Sequence, residues 1–209
     1  LSVEEIQDMV HEYGEAARRA REAGFDMVEI HAGMGFVINR FLSPVTNRRT
    51  DHYGGGLENR MRLLLEFIQA VKKGAGEDFP VFIKMNGADF QEGGMTIEDS
   101  APVAEILDRE GIEAIEPSGG SLGGTHNSRG PLDKEKWAEN FYLPFAEEIK
   151  GRVNAPVMMV GGLRKFEVVE SVIKEGRADL ISLSRPFLRE PDLINRWMKG
   201  DLSPATCTS

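Results

Sequence analysis

Residues able to do chemistry recur at one kind of place in this chain, just after a short apolar run. His31 follows "VEI", Lys84 and Asn86 lie in "VFIKMN", Gly161 and Gly162 follow "VMMV", and Ser184 and Arg185 follow "LISL". An imidazole can donate a hydrogen bond to a carbonyl oxygen or carry a proton near neutral pH. A glycine pair lets backbone N–H groups approach an anion closely, because neither residue has a Cβ in the way. A guanidinium pairs with phosphate oxygens as a fixed fork. Each feature alone has an ordinary alternative: a tight turn at 161–162 and a surface ion pair for Arg185. Lys84 points inward from an otherwise apolar strand, where an unpaired ammonium is costly, so it requires an anionic partner, either a bound group or a neighbouring carboxylate.

Alternating helix and strand patterns position these residues. Ser2 and Glu5 form a capping-box pair ahead of an amphipathic run from Ile6 to Ala23, and Gly24 stops that run before the apolar segment "FDMVEI". The same order repeats in helix Leu57 to Lys73 with strand Val81 to Met85, and in helix Ile97 to Arg109 with strand Ala114 to Pro117. It continues in a helix from around Lys136 to Lys150 with strand Val157 to Val160, and in helix Phe166 to Glu175 with strand Leu180 to Leu183; a terminal helix is expected over Pro191 to Lys199. Strands separated by helices imply right-handed crossovers and a parallel sheet. The fold class is α/β. A doubly wound open sheet is complete with five strands, whereas a (β/α)8 TIM barrel needs eight and about 250 residues. Five polar or glycine-rich strand ends, the fifth being Ser118 to Gly120 after "AIEP", converging on one face favour the barrel, here a partial barrel of five β/α units.

The composition narrows the partners. The 209 residues carry a formal net charge of −9, which repels nucleic acid and anionic membranes, so a small-molecule substrate is expected. No apolar run reaches the length of a membrane span, and the single cysteine, Cys207, excludes an internal disulfide and suits a reducing cytoplasm. The chain begins at Leu1 and is expected to be a piece of a longer protein. Asp89 and Glu92 in "GADFQEGG" have no histidine or third carboxylate close by in sequence, so no metal is expected there.

Two long stretches carry a family resemblance. "AARRAREAGFDMVEIHAGMGFVINRFLSPVTNRRTDHYGGGLENRMRLLLE" resembles the central signature of the Old Yellow Enzyme family of NADH:flavin oxidoreductases, and "VGGLRKFEVVESVIKEGRADLISLSRPFLREPDL" resembles its C-terminal signature. The resemblance implies that residues 1–209 are one domain, the C-terminal part of an FMN-binding TIM barrel covering strands four to eight. It implies FMN as cofactor, NADH or NADPH as reductant and an unsaturated carbonyl-type acceptor. Gly161, Gly162 and Arg185 then hold the cofactor phosphate, with Ser184 standing where the family usually has glycine. Lys84 lies beside the N1/O2 edge of the flavin ring. His31 matches the histidine that donates a hydrogen bond to the acceptor.

The resemblance also marks departures. The family's second donor, three residues after the histidine, is Met34 here, and its proton-donating tyrosine is Phe36. Both substitutions make a more apolar substrate pocket. A proton could then come from elsewhere, and His126 in "GGSLGGTHNSRG" is the candidate, although a lone loop histidine is ordinarily solvated. In "NRRTDHYGGGLENR" the resemblance implies that Arg49, Asp51 and Arg60 tie the loop to the next helix through ion pairs. Cys207 stands where one branch of the family begins the cysteines of a [4Fe–4S] cluster, which needs four thiolates and so requires a parent chain continuing beyond Cys207. Five barrel strands leave two open edges, and inward-facing side chains drawn from Val28, Ile30, Phe82 and Val157 are expected to be exposed. The partner is accordingly expected to be a second copy, as a homo-oligomer, or the missing N-terminal part of the same barrel. Two other readings remain: a non-catalytic partial barrel that binds flavin poorly, and a phosphate-binding isomerase or aldolase barrel using His31 and Lys84 as acid and base.

Overall fold

In chain order the elements are α1 (Val3–Glu22), β1 (Val28–Ala32), α2 (Val37–Leu42), α3 (Leu57–Ala75), β2 (Val81–Ala88), α4 (Ile97–Arg109) and β3 (Ala114–Gly119). There follow β4 (His126–Asn127), β5 (Gly130–Pro131), α5 (Leu143–Lys150), β6 (Met158–Val160), α6 (Phe166–Lys174), β7 (Leu180–Ser182), α7 (Arg185–Arg189) and α8 (Leu193–Met198). The structure is a computed structural model that describes residues 1–121, 123–127, 130–133 and 139–207. Among the described residues no helix is long and apolar enough to cross a membrane.

The strands lie side by side in chain order, all parallel. β1 pairs with β2 and β2 with β3; a parallel bridge between Ile115 and Val157 carries the ladder to β6, which pairs with β7. β4 and β5 form a separate antiparallel ribbon in the segment after β3. Helix starts are set locally. Ser2 and Glu5 exchange bonds as the capping box of α1, Thr96 and Asp99 do the same for α4, and a proline sits in the first turn of α5.

Period-two alternation assigns the faces of the sheet. Val81, Ile83 and Met85 on β2, Ile30 and Ala32 on β1, and Val157 before β6 are all buried in the core that the helices cover. The opposite parity carries Glu29 and His31 on β1, Phe82, Lys84 and Asn86 on β2, and Glu116 and Ser118 on β3, with His31, Lys84 and Glu116 directly in register. This narrows the set of inward apolar side chains to Phe82. Ile30 and Val157 belong to the core, Val28 packs against it, and of the four residues only Phe82 shares the parity of His31 and Lys84.

Other boundaries differ for local reasons. The helix expected from around Lys136 is described only from Leu143, residues 134–138 lying outside the described residues. Helices α2 and α7, of six and five residues, are too short to show a 3.6-residue period. The 47–60 loop is also held differently from expectation. Arg49 pairs with Asp51 inside the loop at 2.5 Å, while Arg60 donates to the backbone oxygens of Leu42 at 2.7 Å and Gly55 at 2.8 Å instead of forming an ion pair. Carbonyls left open at helix ends and turns are what a guanidinium fork can satisfy there.

Candidate active site

One cavity of about 340 Å³ opens at the carboxyl ends of the strands. Met34, Lys84, Gly161, Gly162, Ser184 and Arg185 all line it, so six of the residues singled out in the sequence meet in one place. Phe141, Tyr142, Arg164 and Cys207 complete much of the wall. Lys84, Arg164 and Arg185 surround this one cavity in a chain of net charge −9.

The glycine pair follows β6 with φ of 105° at Gly161 and 72° at Gly162, the left-handed region that side chains resist. A Cβ on Gly161 would lie 2.7 Å from the Phe141 ring and 2.8 Å from the Tyr142 ring. Only glycine leaves a bare backbone edge between those rings. Arg185 opens α7, and its Nη1 is buried with no hydrogen-bond partner. A buried donor left unpaired carries the full cost of its lost hydration, and the cavity beside it has room for an acceptor. Ser184 makes no capping bond with its side chain. Tyr142 donates to the Gly119 oxygen at 2.6 Å, and burial pushes its phenol well above the ordinary range.

Lys84 has a protein partner. Its ammonium pairs with the carboxylate of Glu116, which is 4% exposed, one strand over in register. Burial pushes the Lys84 ammonium down, opposed by the negative charge of Glu29; Glu29 is itself pushed up by burial and held back by Lys84. Sequence reasoning left the anion for Lys84 open and passed over Glu116. Its signal was a glutamate inside the strand run "AIEP".

His31 sits beside Lys84 in register, with Nδ1 buried and unpartnered. Burial first, and the neighbouring Lys84 charge second, hold its pKa below the ordinary imidazole value, so the ring is neutral near pH 7. Phe36 stands 4.8 Å away between ring centroids, tilted by 53°, and is 59% exposed. Met34 reaches the cavity wall, whereas Phe36 covers the histidine. His31, Phe36 and His126 are not among the residues that line the cavity. His126 lies on the β4 ribbon, stacked on Phe90 at 3.6 Å, with Nδ1 3.1 Å from the Thr125 hydroxyl. Among the described residues no group of three or more histidine, cysteine, aspartate or glutamate side chains could hold a metal ion.

Comparison with known proteins gives the family and the fold. The family described as NADH:flavin oxidoreductase / NADH oxidase matches residues 1–202. The chain is 37% identical over 200 residues to an NADH oxidase of Thermoanaerobacter brockii, covering 96% of this chain and 30% of that protein. A 2-naphthoyl-CoA reductase, solved with 2-naphthoyl-CoA, superimposes with a TM-score of 0.91 at 29% identity, over 99% of this chain and 32% of that one. An Old Yellow Enzyme homologue from Zymomonas mobilis gives a TM-score of 0.78 at 30% identity, over 98% and 55%. The chain thus spans between about a third and about a half of the proteins it matches. Its five parallel strands form part of the barrel those structures share.

Proposed function

From the membership of this chain in the NADH:flavin oxidoreductase / NADH oxidase family, we propose that it is the FMN-holding C-terminal portion of a barrel enzyme that uses NADH or NADPH to reduce an unsaturated carbonyl-type acceptor. One observation carries the proposal: a left-handed glycine pair and Arg185 line a single cavity, and the Arg185 Nη1 is buried without a hydrogen-bond partner, whereas Lys84 and Arg164 are each paired with a glutamate. Gly161, Gly162 and Arg185 fit the phosphate of FMN, the backbone edge by close approach and the guanidinium by charge-assisted bonds. Ser184 adds a hydroxyl at the same end. FMN, when bound, supplies two-electron transfer between the nicotinamide and the acceptor.

The chain's own residues do the rest. His31, held neutral by burial and by the Lys84 charge, donates a hydrogen bond from its ring N–H to the acceptor oxygen, stabilising the charge that develops there as hydride adds to the β-carbon. Lys84 sets a positive charge on the inner wall, moderated by Glu116. Phe36 carries no exchangeable proton, so the α-carbon is protonated by water or by a group outside residues 31–36. Met34 and Phe36 together suit a flat, apolar acceptor. His126 on its ribbon is a proton source only if that ribbon reaches the acceptor.

The edges of β1 and β7 each pair on one side among the described strands. The remaining barrel strands of the parent protein are their proposed partners, a second copy being the alternative. The lone thiol Cys207 fits a reducing cytoplasm. Purification of the full-length parent tests the function directly. It should be yellow with one FMN per chain and be bleached anaerobically by NADH or NADPH. A colourless protein that takes up no FMN would leave a non-catalytic barrel, and sugar-phosphate turnover without flavin would make it an isomerase or aldolase.

A further inference from the structure

Behind the loop that carries Met34 and Phe36 lies a buried polar cluster that the proposed chemistry does not use. Asp89, 1% exposed, accepts at Oδ1 from the side-chain amides of Asn39 at 3.0 Å and Asn86 at 2.8 Å, and at Oδ2 from the Met95 backbone N–H at 2.9 Å. Its own N–H donates to the Met95 oxygen at 2.9 Å, which fixes its position. A carboxylate only accepts, so both asparagines must turn their NH2 groups toward Asp89 and their oxygens away from it. Those oxygens meet the loop. Asn86 Oδ1 accepts from the Met34 N–H at 2.9 Å, and Asn39 Oδ1 accepts from the Gly35 N–H at 2.7 Å. Asn86 also donates to the Gly120 oxygen at 2.9 Å, so one amide ties together the segments after β1, β2 and β3.

The clamped backbone is not one the chain adopts freely. Met34 has φ of 57°, left-handed for a residue with a Cβ, and Gly35 follows at 78°. A Cβ at Gly33 would lie 2.8 Å from Asn86 Oδ1, so the close approach of the clamp requires glycine there. This conformation puts Met34 on the cavity wall.

We propose that Asp89, acting through Asn39 and Asn86, is a positioning residue that holds the 33–36 loop so that Met34 closes one wall of the cavity and sets which acceptors fit. The proposal rests on the functional reading above. Its test uses the full-length flavoprotein with Asn39→Leu, Asn39→Ser and Asp89→Asn, the serine variant keeping a milder change in hand should the others not fold. Amide hydrogen exchange at Met34 and Gly35 should accelerate about tenfold, equivalent to about 1.4 kcal/mol, while exchange at Ile83 and Leu107 in the core is unchanged. The kcat/KM ratio between menadione and the smaller 2-cyclohexenone should shift about tenfold, converted by the same constant, with the rate of flavin reduction by NADH within about twofold of wild type. Unchanged exchange at Met34 and Gly35 in folded variants overturns the clamp. Faster exchange with an unmoved acceptor ratio overturns its role in selection. A parent protein that binds no FMN defeats the functional reading instead, a failure that the exchange rates distinguish from that of the clamp.

Discussion

Arg185→Ala separates the phosphate end of the cavity from everything else. In wild type the guanidinium lines the cavity and its Nη1 is buried without a protein acceptor, a donor that a bound phosphate would satisfy. Hydrogen bonds to charged groups contribute about 1.5–3 kcal/mol, and about 1.4 kcal/mol is tenfold in affinity. The substitution should therefore weaken FMN binding about 10- to 150-fold. Riboflavin has the same ring and no phosphate, so its affinity should be nearly unchanged. Arg185→Lys should fall between, keeping charge and losing the fork. In the absence of flavin the alanine variant loses stem packing and sheds the unpaired donor, so its unfolding midpoint should move little. Titration of the full-length apoprotein by flavin fluorescence quenching measures both ligands. Equal losses for FMN and riboflavin, or none for either, would refute the assignment of this end of the cavity to phosphate.

Lys84→Met should destabilise the protein by about 3 kcal/mol because it strands the buried Glu116, whereas Lys84→Met with Glu116→Leu should recover most of the loss, as urea unfolding of the three proteins will show. In the flavin-loaded parent, Lys84→Ala should lower the flavin reduction potential, read by dye equilibration. His31 has a folded-state pKa below its ordinary 6.5, so the unfolded chain takes up the proton first as pH falls. Its contribution to stability is full above pH 6.5 and declines below it, and His31→Gln should flatten that part of the unfolding profile. Phe36→Tyr brings a phenol beside His31 and should raise the oxidative half-reaction with a small enone by up to ~10², at the low end for a positioned general acid; fast wild-type turnover, unmoved by the change, would remove Phe36 as the limiting feature.

What could be read from the sequence follows the range of the forces involved. The five helix–strand alternations, with helix Ile97–Arg109 to the residue, are legible in apolar periodicity, and the start of α1 in the Ser2/Glu5 capping box, both of which are local. The convergence of Lys84, Gly161, Gly162, Ser184 and Arg185 was legible because parallel strands deliver their ends to one side. The partner of Lys84 was not, because Glu116 lies 32 residues away and only strand register brings the two together. The clamp is hidden for the same reason: in sequence Asp89 has only Glu92 near it as a charged companion, while its side chain meets Asn39, 50 residues earlier, and Asn86. Of Val28, Ile30, Phe82 and Val157, from which the inward apolar side chains were expected, parity leaves only Phe82 on the inner face. A strand's hydrophobic residues can all lie on one side, and here the parity of His31 and Lys84 decides which side that is.

That division between faces has a consequence for the whole sheet. A parallel strand buried on both sides reads as continuously apolar, yet here Glu29, His31, Lys84 and Glu116 alternate with residues of the core. Buried ion pairs are weak sources of stability, since the loss of hydration offsets most of the attraction, so these groups are not explained by what they add to folding. The outer face carries that task through Ile30, Val81, Ile83, Met85 and Val157, none more than 4% exposed. The inner groups instead define a field around the cavity: Glu116 compensates Lys84, which leaves Arg185 with its unpaired nitrogen as the strongest demand for an anion. Truncations on the outer face should therefore lower stability by about 2–5 kcal/mol, the range for buried Ile or Met to Ala, with little change in flavin affinity per folded molecule. Paired neutral replacements on the inner face should leave stability nearly intact and alter what the cavity binds.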